Sequence, residues 1–209
     1  MRLEINMQQF VDITKKYFKD DEIKNIMEIG SLHGKDSLFF KTCFPNSNVY
    51  CIEGLPDNYE KYLKNLSEII PINIVVADYD GKIEYYKKNI NGLHGIRNRG
   101  NEYGSEILLL KCKTIKTICD DYNIPNIDLV KIDVEGATYE ILFSMSDIIN
   151  NIKIMHIETE SYPFFENQKL HKDVVNFLTK KGFSMVDMTS VTINGQQQHD
   201  SVWINNNFL

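Results

Sequence analysis

The fold class the sequence predicts is α/β: an open, mostly parallel sheet with helices on both faces. Two observations carry that reading. From residue 25 onward, short apolar runs alternate with stretches whose apolar residues recur at helical spacing. Residues 127–134 (IDLVKIDV) read as a nearly continuous β run of the kind found in the middle of a sheet.

The elements follow in order. Phe10, Ile13, Thr14, Tyr17 and Phe18 recur at helical spacing, so an amphipathic helix is expected to cap the core from within residues 1–24. Residues 25–29 form a first strand that stops at Gly30, and residues 37–44 form a helix ended by Pro45. The unit repeats, with a strand at 48–53 and a helix at 56–66 whose stripe is Tyr59, Tyr62, Leu63 and Leu66. A third strand is expected at 72–76, and the Asp80-Gly81 turn leads to another at 82–87. Residues 89–105 hold four of the eleven glycines and read as a long loop. Then come a strand at 107–112, a helix at 114–122, the strand at 127–134 and a helix at 137–149. A strand at 152–157, a helix at 170–180 and strands at 183–188 and 201–204 complete the chain. The turn at Asn194-Gly195 makes the last pair an antiparallel hairpin. Residues 25–209 read as a single domain.

Composition narrows the partners. A formal net charge of −6 opposes non-specific attraction to nucleic acid or an anionic membrane, so neither is expected as a partner. No run approaches the ~18 apolar residues of a membrane span, and MRLEINMQQF lacks the apolar core of a signal peptide, so a cytoplasmic location is expected. Cys43, Cys51, Cys112 and Cys119 form no C-x-x-C pair and read as reduced thiols.

In such sheets ligands bind beyond the carboxyl ends of the strands. The first strand ends Glu28-Ile-Gly30-Ser31-Leu-His33-Gly34, a turn where a ligand can approach backbone N–H groups. It fits neither the P-loop nor G-x-G-x-x-G. The second strand ends at Glu53-Gly54, where an acid can accept from both hydroxyls of a ribose. The third ends Ala77-Asp78, where an Asp can accept from an adenine amine beside a small residue. In Asp128-Leu-Val-Lys131-Ile-Asp133-Val-Glu135-Gly136, strand alternation puts Lys131, Asp133 and Glu135 on one face, a costly arrangement unless the groups are paired or used. His156, Glu158 and Glu160 repeat the pattern on the next strand, so acids of neighbouring strands are expected to converge.

E-x-G-x-x-x-G, an acid after the second strand, and DLVKIDVEG followed by IETE together resemble the FkbM family of S-adenosylmethionine-dependent methyltransferases over residues 25–204. The resemblance implies a Rossmann-like, class I methyltransferase fold with a mostly parallel seven-stranded sheet. It also implies O-methylation of a hydroxyl on a sugar, glycan precursor or natural product. By the same resemblance Glu28, Gly30, Ser31 and Gly34 line the methionine part of the cofactor, Glu53 and Gly54 its ribose, and Ala77 and Asp78 its adenine. Asp133 and Glu135 lie beside the reacting methyl group. Lys116 and Thr138 depart from the family pattern and receive no role.

A hydroxyl needs a base as it attacks a sulfonium methyl group, and Asp133, Glu158 and His156 are the candidates in that order. If Asp133 and Glu158 meet, Mg²⁺ held between them is a second way to activate the hydroxyl. His94, Arg97 and Arg99 on the long loop are candidates to bind substrate hydroxyls or an anionic group, and His33 and His199 are further candidates to face the crevice. An oxidoreductase of the short-chain type is disfavoured because none of the eleven tyrosines has Lys four residues later. A catalytically silent cofactor-binding or assembly module is the alternative reading. The oligomeric state is not legible.

Overall fold

The structure is a computed structural model that describes residues 6–100, 104, 106–193 and 195–209. Its strands are β1 (Asn25–Ile29), β2 (Asn48–Glu53), β3 (Ile70–Asn73), β4 (Val75–Val76), β5 (Gly81–Lys87), β6 (Glu106–Lys113), β7 (Leu129–Ile132), β8 (Ile154–Glu160), β9 (Phe183–Ile193) and β10 (Gln196–Asn205). Among the described residues these form a seven-stranded sheet in the order β3-β2-β1-β7-β8-β10-β9 and a three-stranded sheet in the order β4-β6-β5. In the large sheet only β10 runs against its neighbours.

The helices are α1 (Met7–Tyr17), α2 (Lys35–Cys43), α3 (Pro56–Asn58), α4 (Ile115–Asp121), α5 (Thr138–Ser144) and α6 (His171–Lys180). Side-chain alternation divides the core in two. Met27, Ile29, Ile52, Val130, Ile132, Met155 and Ile157 pack with Ile141, Leu142, Val174 and Leu178 of α5 and α6. Ile26, Val49, Leu129, Ile154 and Val202 point the other way, onto Phe10 and Val11 of α1 and Phe40 of α2. The helix expected within residues 1–24 is α1, whose N-terminus is capped by the Asn6 side chain accepting from the Gln9 N–H and whose Phe10 is buried in the core; residues 1–5 lie outside the described set.

Several expectations need correction. The strand expected at 72–76 is broken at Ile74, where the chain leaves the large sheet: β3 pairs with β2, whereas β4 pairs with β6. The strands expected at 82–87 and 107–112 form the smaller sheet, because β5 and β6 find each other as an antiparallel pair. The helix expected at 56–66 is a short α3 continued by a π-helix, Tyr59–Leu63, and the one at 137–149 is α5 followed by a 3₁₀ segment, Ser146–Asn151. β8, β9 and β10 run further toward the hairpin than expected; Gly195 takes the left-handed conformation there (φ +78°), and Asn194 lies outside the described residues. So do residues 101–103 and 105 of the long loop. Among the described residues no helix is long and apolar enough to cross a membrane.

Candidate active site

The chain builds β1, β2 and β3 outward and then returns to lay β7 against the other side of β1. This reversal opens a crevice at the carboxyl ends of β1 and β7. Gly30, in the left-handed region at φ +87°, forms its floor, and a side chain there would drive a carbon into the Asp133 carbonyl oxygen. Only glycine lets the two strand ends come this close.

The first cavity, about 630 Å³, is lined by Gly30, Glu53, Gly54, Asn58, Asp133 and Glu135, with Ile29, Val76, Val134 and Ile141 as apolar wall. Glu53 is buried, and its two carboxylate oxygens accept the Leu32 and Leu55 N–H groups, each at 2.8 Å. Burial nevertheless pushes its pKa up. Asn58 Nδ2 is buried and has no hydrogen-bond partner among the described residues. Glu135 faces this cavity, with Arg99 Nη1 at 3.4 Å. Burial, reinforced by the Asp133 carboxylate, pushes Glu135 up to about 8 against the pull of Arg99.

The second cavity opens on some 1360 Å³ beside the first, on the α1 and α2 side of the sheet. It is walled by Asn6, Met7 and Gln8 and lined by Asp36, Lys131, Asp133, His156, Glu158 and Asp200. Strand register explains the set. Glu28, Lys131, His156 and Val202 stand in one row across β1, β7, β8 and β10, and Asp200 is paired with Glu158 one step nearer the strand ends. On this face the apolar layer of Ile26, Leu129 and Ile154 therefore gives way to an ionisable layer.

Lys131 organises that layer. Its Nζ lies 2.9 Å from Asp133, 3.0 Å from Asp36 and 3.5 Å from Glu28, and these carboxylates hold its pKa well above the usual lysine value despite burial. Glu28, hydrogen-bonded by Ser37, is pushed up to about 7 by burial. His156, packed on Phe10, is pushed down to about 3 by burial, so it is neutral near pH 7. Neither of its ring nitrogens has a hydrogen-bond partner among the described residues; the Asp200 carboxylate stands 3.6 Å away. Burial first, then the carboxylates of Asp133, Glu135, Glu160 and Asp200, raise Glu158 well above the usual carboxylate range.

The residues expected at the site divide accordingly. Gly30, Glu53, Gly54, Asp133, Glu135 and His94 line the first cavity, and Asp133, His156 and Glu158 line the second. Glu28 sits in the Lys131 cluster. Ser31 donates to the Ile52 carbonyl and Gly34 caps α2, both outside the cavity lining. Ala77 is buried and Asp78 exposed, and neither lines the cleft; Ile74, Val75 and Val76 do. The shared face of Lys131, Asp133 and Glu135 fails at Glu135, because β7 ends at Ile132 and the chain turns through Gly136 at φ +71°. Asp128 serves the opposite end of the sheet, accepting from the Lys24 and Asn25 N–H groups and from Lys153.

The loop arginines are engaged within the protein. Arg97 pairs with Glu140 and donates to the Glu166 carbonyl at 3.1 Å, and Arg99 lies over Phe164 and Phe165. They fasten the loop over the strand ends. His199 is held between Ser161 and Ser190 and stacked on His171, lining neither cavity. His33 is exposed, its ring edge-on to Tyr62. Among the described residues no group of three or more His, Cys, Asp or Glu side chains is disposed to hold a metal ion. Asn58, Asp36 and Asp200 are site residues that sequence reasoning missed; each is ordinary in sequence and acquires its place through packing.

The strand order and the crevice between β1 and β7 define a Rossmann-like, class I methyltransferase fold. The methyltransferase FkbM domain model matches residues 28–185, and the chain belongs to that family. It is 24% identical over 159 residues to the hexuronic acid methyltransferase AglP of Haloferax volcanii, covering 70% of this chain and 61% of that protein. The chain thus spans less than two thirds of that relative's length. It is 19% identical over 170 residues to the 2-O-methyltransferase NoeI of Sinorhizobium fredii, covering 73% of this chain and 70% of that one. The N-terminal domain of EvdMO1, solved with SAH bound, shares the fold with a TM-score of 0.55 at 12% identity, covering 97% of this chain and 82% of that one.

Proposed function

We propose that the protein is an S-adenosylmethionine-dependent O-methyltransferase acting on a hydroxyl of a sugar, glycan precursor or natural product. The observation that carries this reading is the position of Asp133, which borders both cavities. A group there touches whatever fills either one.

The first cavity fits the cofactor. Asn58 Nδ2 is a buried donor beside the Glu53 carboxylate, and Glu53 presents a buried carboxylate to a pair of hydroxyls. Ile29, Val76 and Ile141 offer an apolar slot for a purine. Asp133 places negative charge where a cation would lie, and Glu135 adds to it once ionised, above about pH 8. S-adenosylmethionine, when bound, supplies an electrophilic methyl group on a positively charged sulfur.

Asp133 is the base in this reading, accepting the proton of the acceptor hydroxyl. Lys131, 2.9 Å away, orients its carboxylate. Glu158 is a weaker candidate, since its neighbours favour the protonated acid. His156 is held neutral and suits hydrogen bonding better than accepting a proton that must then be kept. Most of the acceleration comes from alignment, with α1 and the arginine-fastened loop excluding water. No role is derived for Mg²⁺.

The hexuronic acid and 2-O-methyltransferase activities in the relatives' names support a sugar hydroxyl as acceptor. Residues 25–209 form the catalytic unit in this reading, with residues 1–24 as its cap, and the four free cysteines suit a cytoplasmic setting. Calorimetry with S-adenosylmethionine followed by methyl transfer to hydroxylated glycosides tests the proposal. Binding with transfer supports it, binding without transfer favours a silent module, and the absence of binding heat removes it.

A further inference from the structure

The wall of the second cavity carries a buried polar ring that the fold itself does not satisfy. His156 lines the cavity, is 3% exposed, and has two ring nitrogens without a hydrogen-bond partner among the described residues. The Asp200 carboxylate, 3.6 Å from Nε2, stands beyond hydrogen-bond reach. Burial first, then the Lys131 ammonium, keep the imidazole neutral near pH 7, so it offers one donor and one acceptor. Leaving both unmade in a buried position costs free energy. Packing does not call for them: the ring lies against Phe10, with centroids 5.2 Å apart, where a phenyl group would serve as well.

Strand register fixes where a ligand meets that ring. Lys131 stands opposite His156 in the pairing of β7 with β8. Asp133, two residues beyond Lys131, therefore lies one alternation nearer the strand ends than His156, and both line the same cavity. That step is roughly 6.6 Å along a strand. One hydroxyl, with hydrogen bonds of about 2.8 Å to either side, falls short of spanning it. Hydroxyls on two adjacent carbons span it, because the separation of their oxygens adds to the two bonds.

We propose, resting on the sugar-hydroxyl reading above, that the acceptor carries hydroxyls on adjacent carbons, with Asp133 serving the one that is methylated and His156 positioning its neighbour. The acceptor oxygen gains its bond to carbon as the methyl–sulfur bond breaks, and its proton passes to the Asp133 carboxylate. The neighbouring hydroxyl only exchanges hydrogen bonds with the imidazole, whose proton count does not change. Adjacency of hydroxyls, and not their number, is then what the cavity selects.

Methyl β-D-glucoside and its 2-deoxy, 3-deoxy and 4-deoxy forms separate the two. Each deoxy form keeps the same number of hydroxyls, yet only the 3-deoxy form has none on adjacent carbons. In calorimetry with saturating S-adenosylhomocysteine, the 3-deoxy form is expected to bind at least about tenfold more weakly than the parent, and the 2-deoxy or the 4-deoxy form to stay within about threefold of it. His156→Phe, which keeps a ring against Phe10, is expected to weaken the parent about tenfold, leave the 3-deoxy form unchanged and so close the gap between them. His156→Gln, which restores a donor and an acceptor, reopens part of that gap. In turnover with S-adenosylmethionine, His156→Phe is expected to raise KM more than it lowers kcat.

Equal binding of the parent and the 3-deoxy form, equal weakening by all three deletions, binding of none of the four, or an unchanged gap in His156→Phe would each overturn the proposal. S-adenosylhomocysteine binding in the same samples reports separately on the cofactor reading and on whether each variant is folded. Methyl transfer to the parent without a preference for adjacent hydroxyls overturns this inference alone and leaves the proposed function standing. No transfer to any of the four from folded, cofactor-loaded protein strikes the proposed function with it.

Discussion

The Lys131 ammonium lies 2.9 Å from the Asp133 carboxylate two residues along the chain, and the same ammonium lies 3.5 Å from Glu28 on the neighbouring strand. One buried cation thus holds both the residue proposed as base and an acid beneath it, which ties the stability of the sheet to the chemistry at its edge.

Asp133→Asn removes the proton acceptor while keeping the shape of the side chain. Turnover is expected to fall by about 10²–10⁴-fold, with cofactor affinity changed only a few-fold. Single-turnover methyl transfer alongside calorimetry separates the two, and a large loss of cofactor binding with normal turnover would refute the assignment.

Lys131→Met leaves Glu28, 2% exposed, without its ammonium. Breaking a buried pair in this way costs on the order of 3–5 kcal/mol. Combining it with Glu28→Gln removes the stranded acid and is expected to recover part of the loss. Denaturant midpoints of the two single variants and the double variant measure the coupling.

Glu53→Ala deletes the acceptor of the Leu32 and Leu55 N–H groups and the proposed ribose partner together. Cofactor affinity is expected to drop at least about tenfold, or ~1.4 kcal/mol. Unchanged affinity by calorimetry would rule out the ribose role.

Glu135, pushed up to about 8 chiefly by burial, is mostly protonated at pH 6.5 and becomes ionised as pH rises. A cationic ligand in the first cavity prefers the ionised form, so S-adenosylmethionine affinity should increase from pH 6.5 to 9, and Glu135→Gln should flatten the profile. The ligand-free protein should behave oppositely. Glu28 and Glu160, raised to about 7, and Glu135 have folded-state pKa values above their ordinary 4.5. The stability they contribute is present below 4.5 and is lost as pH rises through 7 to 8. His156, lowered to about 3, contributes stability that is complete above 6.5 and lost below it. Above pH 6.5 the acids therefore dominate, and Tm without ligand should decline toward pH 8.5.

Gly30→Ala places a carbon against the Asp133 carbonyl at φ +87°. Relief requires separating the ends of β1 and β7, so a loss above ~3 kcal/mol is expected. A denaturant midpoint near that of the wild type would show that the strand ends yield more readily than this packing implies.

Much of this arrangement is local and therefore legible in the amino-acid order. Alternation in NIMEI and IDLVKIDV announces buried strands, Gly30 marks the turn, and Glu53 follows its strand at the spacing a nucleoside site needs. Tertiary structure alone decided which acids meet. Asp36 and Asp200 join Asp133 because a helix and an antiparallel strand bring them there, and Glu135 leaves that group because β7 ends at Ile132. The break at Ile74 likewise depends on β4 finding β6 rather than continuing beside β2. The physical reason is that side-chain alternation is a property of a few adjacent residues. The register that sets Glu28 opposite Lys131, and Lys131 opposite His156, exists only once distant strands have paired.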